Sequence, residues 1–253
     1  VGLCLVLGLT CLSARRQSRE ATQRALEVST WRLTYDVSFD ADEADAVVRI
    51  AIPSATEHAA IIDSEMTYPD LDANVVSVDS GDYRYIEARA GQAGRHRVTA
   101  GFLIELDPSK TTWGLGRLTD LSPDSRTRYL REEDTIPVRS ANLQRILQQS
   151  VGQWETEEER LQWIYNYCTH KVKRATGQSA SSEVLNIVDV TDPSAASPLG
   201  RARLMVALCR AARMPARLVT GFELRQQQTI TPHVWVEVFG NSRWRPFDPV
   251  NDY

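Results

Sequence analysis

Three stretches decide the fold: Leu204–Phe222, LMVALCRAARMPARLVTGF; then His233–Phe239, HVWVEVF; then Trp244–Pro249, WRPFDP. The first opens as a helix. Leu204, Met205, Val206, Ala207, Leu208 and Cys209 are apolar nearly all round, the pattern of a helix buried on several sides. The helix stops before Pro215, which cannot continue it. At its start, Ser197 suits an N-cap and Pro198 the first helical position, where no N–H is needed. Arg217–Glu223, His233–Phe239 and Trp244–Phe247 read as strands, the last two joined by a turn at Gly240–Asn241. A helix leading into antiparallel strands predicts an α+β domain.

Working upstream, two more helices are expected. Leu143, Ile146, Leu147 and Val151 keep helical spacing behind Ser140, a candidate N-cap. Thr156 and Glu159 then make a capping box. Behind it Leu161, Ile164, Tyr165 and Cys168 share one face, so Cys168 reads as core and not as a reactive thiol. Between Gly177 and Ala196 the chain is polar and irregular, apart from an apolar patch at Leu185–Val190. This domain is expected to span 138–253, with 109–137, which has little periodicity, as a connector.

Residues 28–108 carry a different period. Trp31, Leu33, Tyr35, Val37 and Phe39 alternate with polar residues, the mark of a half-buried strand. The alternation returns at Val48–Ile52, Val76–Val78, Tyr83–Ile86 and Val98–Leu106, with turn residues between. Several short strands at such spacing predict a β-sandwich-like domain. His58 and His96 stand alone and read as ordinary surface histidines.

Before that domain, Val1–Ser13 is almost entirely apolar, and Arg15, Arg16 and Arg19 come directly after it. A spanning helix needs roughly 20 apolar residues. The chain does not begin with Met, so residues 1–20 read as the end of a membrane anchor, with a cleaved signal segment as the alternative. The three arginines oppose export of the downstream chain, under the positive-inside bias.

Charge and cysteine usage narrow the classes. A net charge of −4 over 253 residues argues against nucleic acid as a partner. Cys4, Cys11, Cys168 and Cys209 form no CxxC or Cys/His cluster, so neither a metal site nor a cofactor is expected. A Cys168–Cys209 bridge stays open at this level.

With these residues in view, the Leu204–Phe222, His233–Phe239 and Trp244–Pro249 blocks resemble the core of the transglutaminase-like superfamily. That resemblance implies a papain-like fold with a Cys at the start of the central helix, a His on the next strands and an Asp on a later one. The chemistry needs all three. A helix N-terminus lowers the thiol pKa and makes the nucleophile. The His moves the proton, and the Asp fixes its tautomer. His233 and Asp248 match the family His and Asp. The family Cys falls at Pro198, within AASPLGRARLM, where no cysteine stands.

Three readings of that gap are open. The domain is a pseudoenzyme, because proline has no nucleophilic atom. Or Ser197, one residue away, is the nucleophile of a hydrolase or acyl transferase with His233 and Asp248. Or Cys209 serves, although it lies about 16 Å along the helix from Pro198. Without a thiol, His233 and Asp248 could equally be a structural pair. Trp235 and Trp244 are candidate groove walls beside that pair, and otherwise packing residues.

The resemblance is strongest to inactive transglutaminases fused to seven transmembrane helices, and the ending just past Asp248–Pro249 suits a chain that continues into further segments. It implies a non-catalytic module of a bacterial inner-membrane protein, facing the periplasm. Such a module would bind an unknown peptide, amino-acid-like or protein ligand at His233, Asp248, Trp235 and Trp244. A structural spacer is the plainest alternative.

Overall fold

A computed structural model describes residues 3–13, 28–56, 59–78, 83–107, 120–150, 152, 154–175, 181–188, 196–223 and 231–251. They fall into two units, one holding the strands of residues 3–107 and the other residues 120–223 and 231–251. His58 and the arginines at 15, 16 and 19 lie outside the described residues.

The first unit is antiparallel throughout. One sheet has the order β1-β2-β7-β4 and the other β3-β6-β5. The strands are β1 (Leu3–Ser13), β2 (Ser29–Ala41), β3 (Val47–Ile52), β4 (Ala59–Thr67), β5 (Leu71–Val78), β6 (Tyr83–Ala90) and β7 (Gly94–Leu106). Register sets which residues are buried. Leu33 faces Phe102 and Val37 faces Val98 across β2 and β7, and all four are buried. Ile50 faces Ile86 in the second sheet, both buried, while Val75 and Val47 stay exposed. β4 carries no clean alternation, and neither β4 nor β5 has a fully buried residue, although Leu71–Asn74 of β5 does alternate apolar with polar over four residues.

Two expectations change in this unit. Leu3–Ser13 is a strand paired with β2 and not the end of a helical anchor. An apolar run of eleven residues suits either structure, and period alone does not separate them. Pairing with β2 satisfies an edge that would otherwise present bare N–H and C=O groups. His96 is buried and not a surface residue. Its Nε2–H donates to the Gln92 carbonyl at 3.0 Å, and its ring lies 5.5 Å from that of Phe39. Among the described residues, no helix is long and apolar enough to cross a membrane.

The second unit is α+β. It runs α1 (Pro123–Arg128), α2 (Ala141–Gln148), α3 (Glu157–Asn166), a π-helical turn (Tyr167–Lys171), α4 (Val184–Ile187) and α5 (Pro198–Ala211). The sheet β10-β9-β8 comes next, with β8 (Ala216–Glu223), β9 (Thr231–Gly240) and β10 (Arg243–Phe247). α5 is the hub. Leu204 to Cys209 are fully buried against Val234, Val236 and Val238 of β9 and against Leu161 and Ile164 of α3. The Thr156–Glu159 capping box forms with both of its bonds, whereas Ser140 sits at the start of α2 without a side-chain cap.

Further differences have local causes. The span read as connector contains α1, capped by Ser122 with Pro123 at its first position. α1 itself shows no apolar period because none of its six residues is buried. The hairpin turn is centred one residue later than expected, on Asn241 and Ser242, both in left-handed backbone with φ 54° and 59°. That matches a type I′ turn, whose hand suits the strand twist. Cys168 and Cys209 are free, buried thiols. Burial pushes both up from the ordinary thiol value, with nearby arginines opposing the shift.

Candidate functional site

The second unit brings His233 and Asp248 together by register. β9 and β10 pair antiparallel, with Phe247 opposite Val236, so Asp248 arrives level with Trp235, two residues from His233. Asp248 Oδ2 accepts from His233 Nε2 at 2.9 Å. The two side chains are 21% and 20% exposed, so the pair is open to a ligand without being fully solvated.

The carboxylate is fixed independently of the histidine. Its Oδ1 accepts from the backbone N–H of Val250 (2.9 Å) and Asn251 (3.1 Å), an Asx-type turn. The Asn251 side-chain amide donates to Oδ2 at 3.1 Å, and Tyr165 Oη donates to the Asp248 carbonyl at 3.2 Å. Asp248 is therefore set before His233 meets it. With Nε2–H donated to Asp248, Nδ1 is the acceptor nitrogen, the division of labour in a Cys/Ser–His–Asp constellation.

Strand alternation puts His233, Trp235 and Glu237 on one face of β9 and the buried valines on the other. The Trp235 ring stacks beside the imidazole, 6.2 Å between centroids and 19° between planes. Gly221, opposite His233 on β8, makes room for it. A Cβ there would come within 2.9 Å of the indole. Trp244 lies elsewhere. It faces Phe239, six residues and roughly 20 Å along the strand from His233. There it packs edge-on against Tyr129 at 4.8 Å, with the Arg217 guanidinium 4.3 Å over its ring. Glu237 holds Arg217 at 2.8 Å, so this arginine packs a sheet surface.

At the helix start, Ser197 is the N-cap and the exposed Pro198 is the first helical residue. Ser197 Oγ accepts from the Gly200 N–H at 3.0 Å, and no hydrogen bond joins Ser197 to His233. Arg201, in the same first turn, is 5% exposed. It donates to the carbonyls of Pro249 (3.3 Å) and Val172 (2.6 Å). The start of α5 is thereby tied, over one arginine side chain, to the loop that carries Asp248. Sequence reasoning passed over Arg201, Asn251, Tyr165 and Gly221. Arg201 is one of three arginines in α5, with Arg203 and Arg210, so its charge alone does not single it out.

Among the described residues, no cluster of three or more His, Cys, Asp or Glu side chains could hold a metal. A cavity of about 400 Å³ lies on this unit, and neither His233 nor Asp248 lines it.

Residues 144–249, which hold α5, His233 and Asp248, match the family described as the transglutaminase-like superfamily. No curated protein matches. Among solved structures, the chain is similar to one from Cytophaga hutchinsonii described provisionally as a cysteine protease. That likeness has a TM-score of 0.67 at 17% identity and covers 97% of this chain and 79% of the other. At that identity it shows the shared fold. The periplasmic domain of TgpA from Pseudomonas aeruginosa, bound to ethylmercury, aligns with a TM-score of 0.48 at 16% identity, over 86% of this chain and 72% of that one.

Proposed function

We propose that the transglutaminase-like domain at residues 144–249 is a non-catalytic ligand- or partner-binding module, carried by a membrane protein and facing the periplasm. The observation that carries this reading is the residue at the helix start. Pro198 stands where the nucleophile is needed and has no atom to attack with. It also lacks a backbone N–H. In acyl transfer the nucleophile's own N–H is one of the donors that stabilise the oxyanion. One proline therefore removes two of the groups that the chemistry requires.

The remaining groups favour binding. His233 Nδ1 is an acceptor held in place by Asp248, and Trp235 supplies a flat apolar wall beside it. A peptide-like ligand with an N–H donor and an apolar side chain suits those two features. Binding of this kind needs no nucleophile. The location is argued from the resemblance to inactive membrane-attached transglutaminases. Cleavage of the second unit by protease added to spheroplasts supports it, and full protection argues the opposite.

The competing enzyme reading uses Ser197 as nucleophile. Its hydroxyl is committed to capping α5, and His233 is not its hydrogen-bond partner. An acyl-transfer and hydrolysis assay on the whole chain, wild type beside Ser197→Ala, separates the two. No turnover by either protein is expected. Turnover that Ser197→Ala abolishes would make this a serine variant of the triad. In a third protein, Pro198→Cys, the new thiol is expected to label with iodoacetamide at neutral pH, since the site is exposed and heads a 14-residue helix. A spacer role would leave the domain with no saturable ligand and no effect of His233→Ala on any binding.

A further inference from the structure

The cavity of about 400 Å³ on the second unit lies between the first turn of α3, the C-terminal end of α5 and the β9–β10 hairpin. Charged side chains dominate its lining, and they are unevenly committed. Arg245 pairs with Glu158 at 2.5 Å, and Asp120 accepts from the Ser242 hydroxyl at 3.4 Å. Arg126 and Arg213 line the same cavity and are exposed, and their side chains make no ion pair or hydrogen bond among the described residues. Glu157 lines it as well, beside Gly240, where a Cβ would sit 3.5 Å from the carboxylate and 3.2 Å from the Arg245 guanidinium. The lining charges without an ion pair among the described residues are thus two guanidiniums, Arg126 and Arg213, and two carboxylates, Glu157 and Asp120.

The backbone adds a second observation. Arg213 lies just past the C-cap of α5 with φ 66°, and Ser242 closes the hairpin turn with φ 59°. Glycine is the easy residue at both positions. Here each keeps a side chain that lines the cavity.

We infer that this cavity binds a small zwitterion of the amino-acid or dipeptide class. Its carboxylate would lie against Arg126 and Arg213, and its ammonium against Glu157. Two guanidiniums alone would take a phosphate as readily as a carboxylate. A carboxylate in the same recess opposes a dianion and favours a ligand carrying a cation beside its anion. The site is separate from the His233–Asp248 pair and does not depend on the function proposed for it.

Titration of the whole chain with alanylalanine tests this, beside its N-acetyl form, its C-terminal amide and inorganic phosphate. The free dipeptide should bind saturably, and both blocked forms at least tenfold more weakly. Arg126→Gln should weaken the free dipeptide at least tenfold. Arg213→Gly should do the same while holding or raising the thermal midpoint, because glycine relieves the left-handed backbone. Glu157→Gln should weaken the free dipeptide and spare the N-acetyl form. His233→Ala should change none of these affinities. Equal binding of the blocked forms, tighter binding of phosphate, binding that survives both arginine variants, or no saturable binding by any probe would overturn the inference. Loss in His233→Ala alone would move the ligand to the His233–Asp248 site and overturn it equally.

Discussion

At the scale of single residues, Arg201 carries more of the candidate site than the sequence shows. Its guanidinium is buried, and it bonds two carbonyls from segments far apart in the chain, Val172 and Pro249. Truncation leaves those carbonyls without this donor, at roughly 1–3 kcal/mol for each one left buried and unsatisfied. Arg201→Met is therefore expected to lower stability by about 2–5 kcal/mol, read from denaturant unfolding. Arg201→Lys should recover little of it, since one ammonium does not reproduce the planar fork. A loss under about 1 kcal/mol for Arg201→Met would mean that the start of α5 is held by packing alone. His233 and Asp248 were legible as a pair only because the blocks that hold them resemble the transglutaminase-like core. Arg201 was not, because an arginine on a helix carries no mark of where its far end goes. Trp244 looked like a partner of His233 from its position beside Asp248, yet register sends it to the far end of β9.

At the scale of elements, local signals held wherever a helix end satisfies itself. The capping box at α3 is the clearest case. Glu159 accepts from the backbone N–H groups of Glu155 and Thr156, which hold its carboxyl below the usual glutamate range. A depressed folded-state value means that this contribution is complete above the ordinary range, near about pH 4.3. It is lost as the pH falls through the folded-state value. Glu159→Gln keeps a hydrogen-bonding side chain without the titration. Its acid unfolding curve should be flatter below about pH 4.3 than that of the wild type. An unchanged acid limb would show that the box does not titrate with folding. Strands were less legible. β2 and β7 announced themselves because one face of each is buried, and burial is what writes a two-residue period into a sequence. β4 and β5 have no fully buried residue, and only short alternations in β5, at Leu71–Asn74 and Val76–Val78, mark either of them.

At the scale of the whole molecule, the two free thiols report on the core. Cys168 and Cys209 are fully buried, and burial raises both above the ordinary thiol value. A raised folded-state value gives stability that is complete below the unfolded thiol range, about pH 8.5, and that falls as the pH rises above it. Alkaline unfolding should begin near that pH and move higher in Cys168→Ala/Cys209→Ala, judged against any loss from the cavity at neutral pH. Native protein should react with a thiol reagent at these two cysteines only as fast as it unfolds, and rapid labelling would mean that the core opens locally. By itself, the sequence determined the helix-then-strands order of the second unit, the buried central helix and its Ser197–Pro198 start. Each of these rests on short-range chemistry, namely caps, apolar period and residue type, whereas the His233–Asp248 pairing was implied only by the family resemblance. Tertiary structure alone decided that Leu3–Ser13 runs as a strand beside β2, that Arg201 ties α5 to the Asp248 loop, and that Trp244 stands apart from His233. Those outcomes depend on which chain segment fills an open edge, a buried carbonyl or a register position, and no local pattern records that choice.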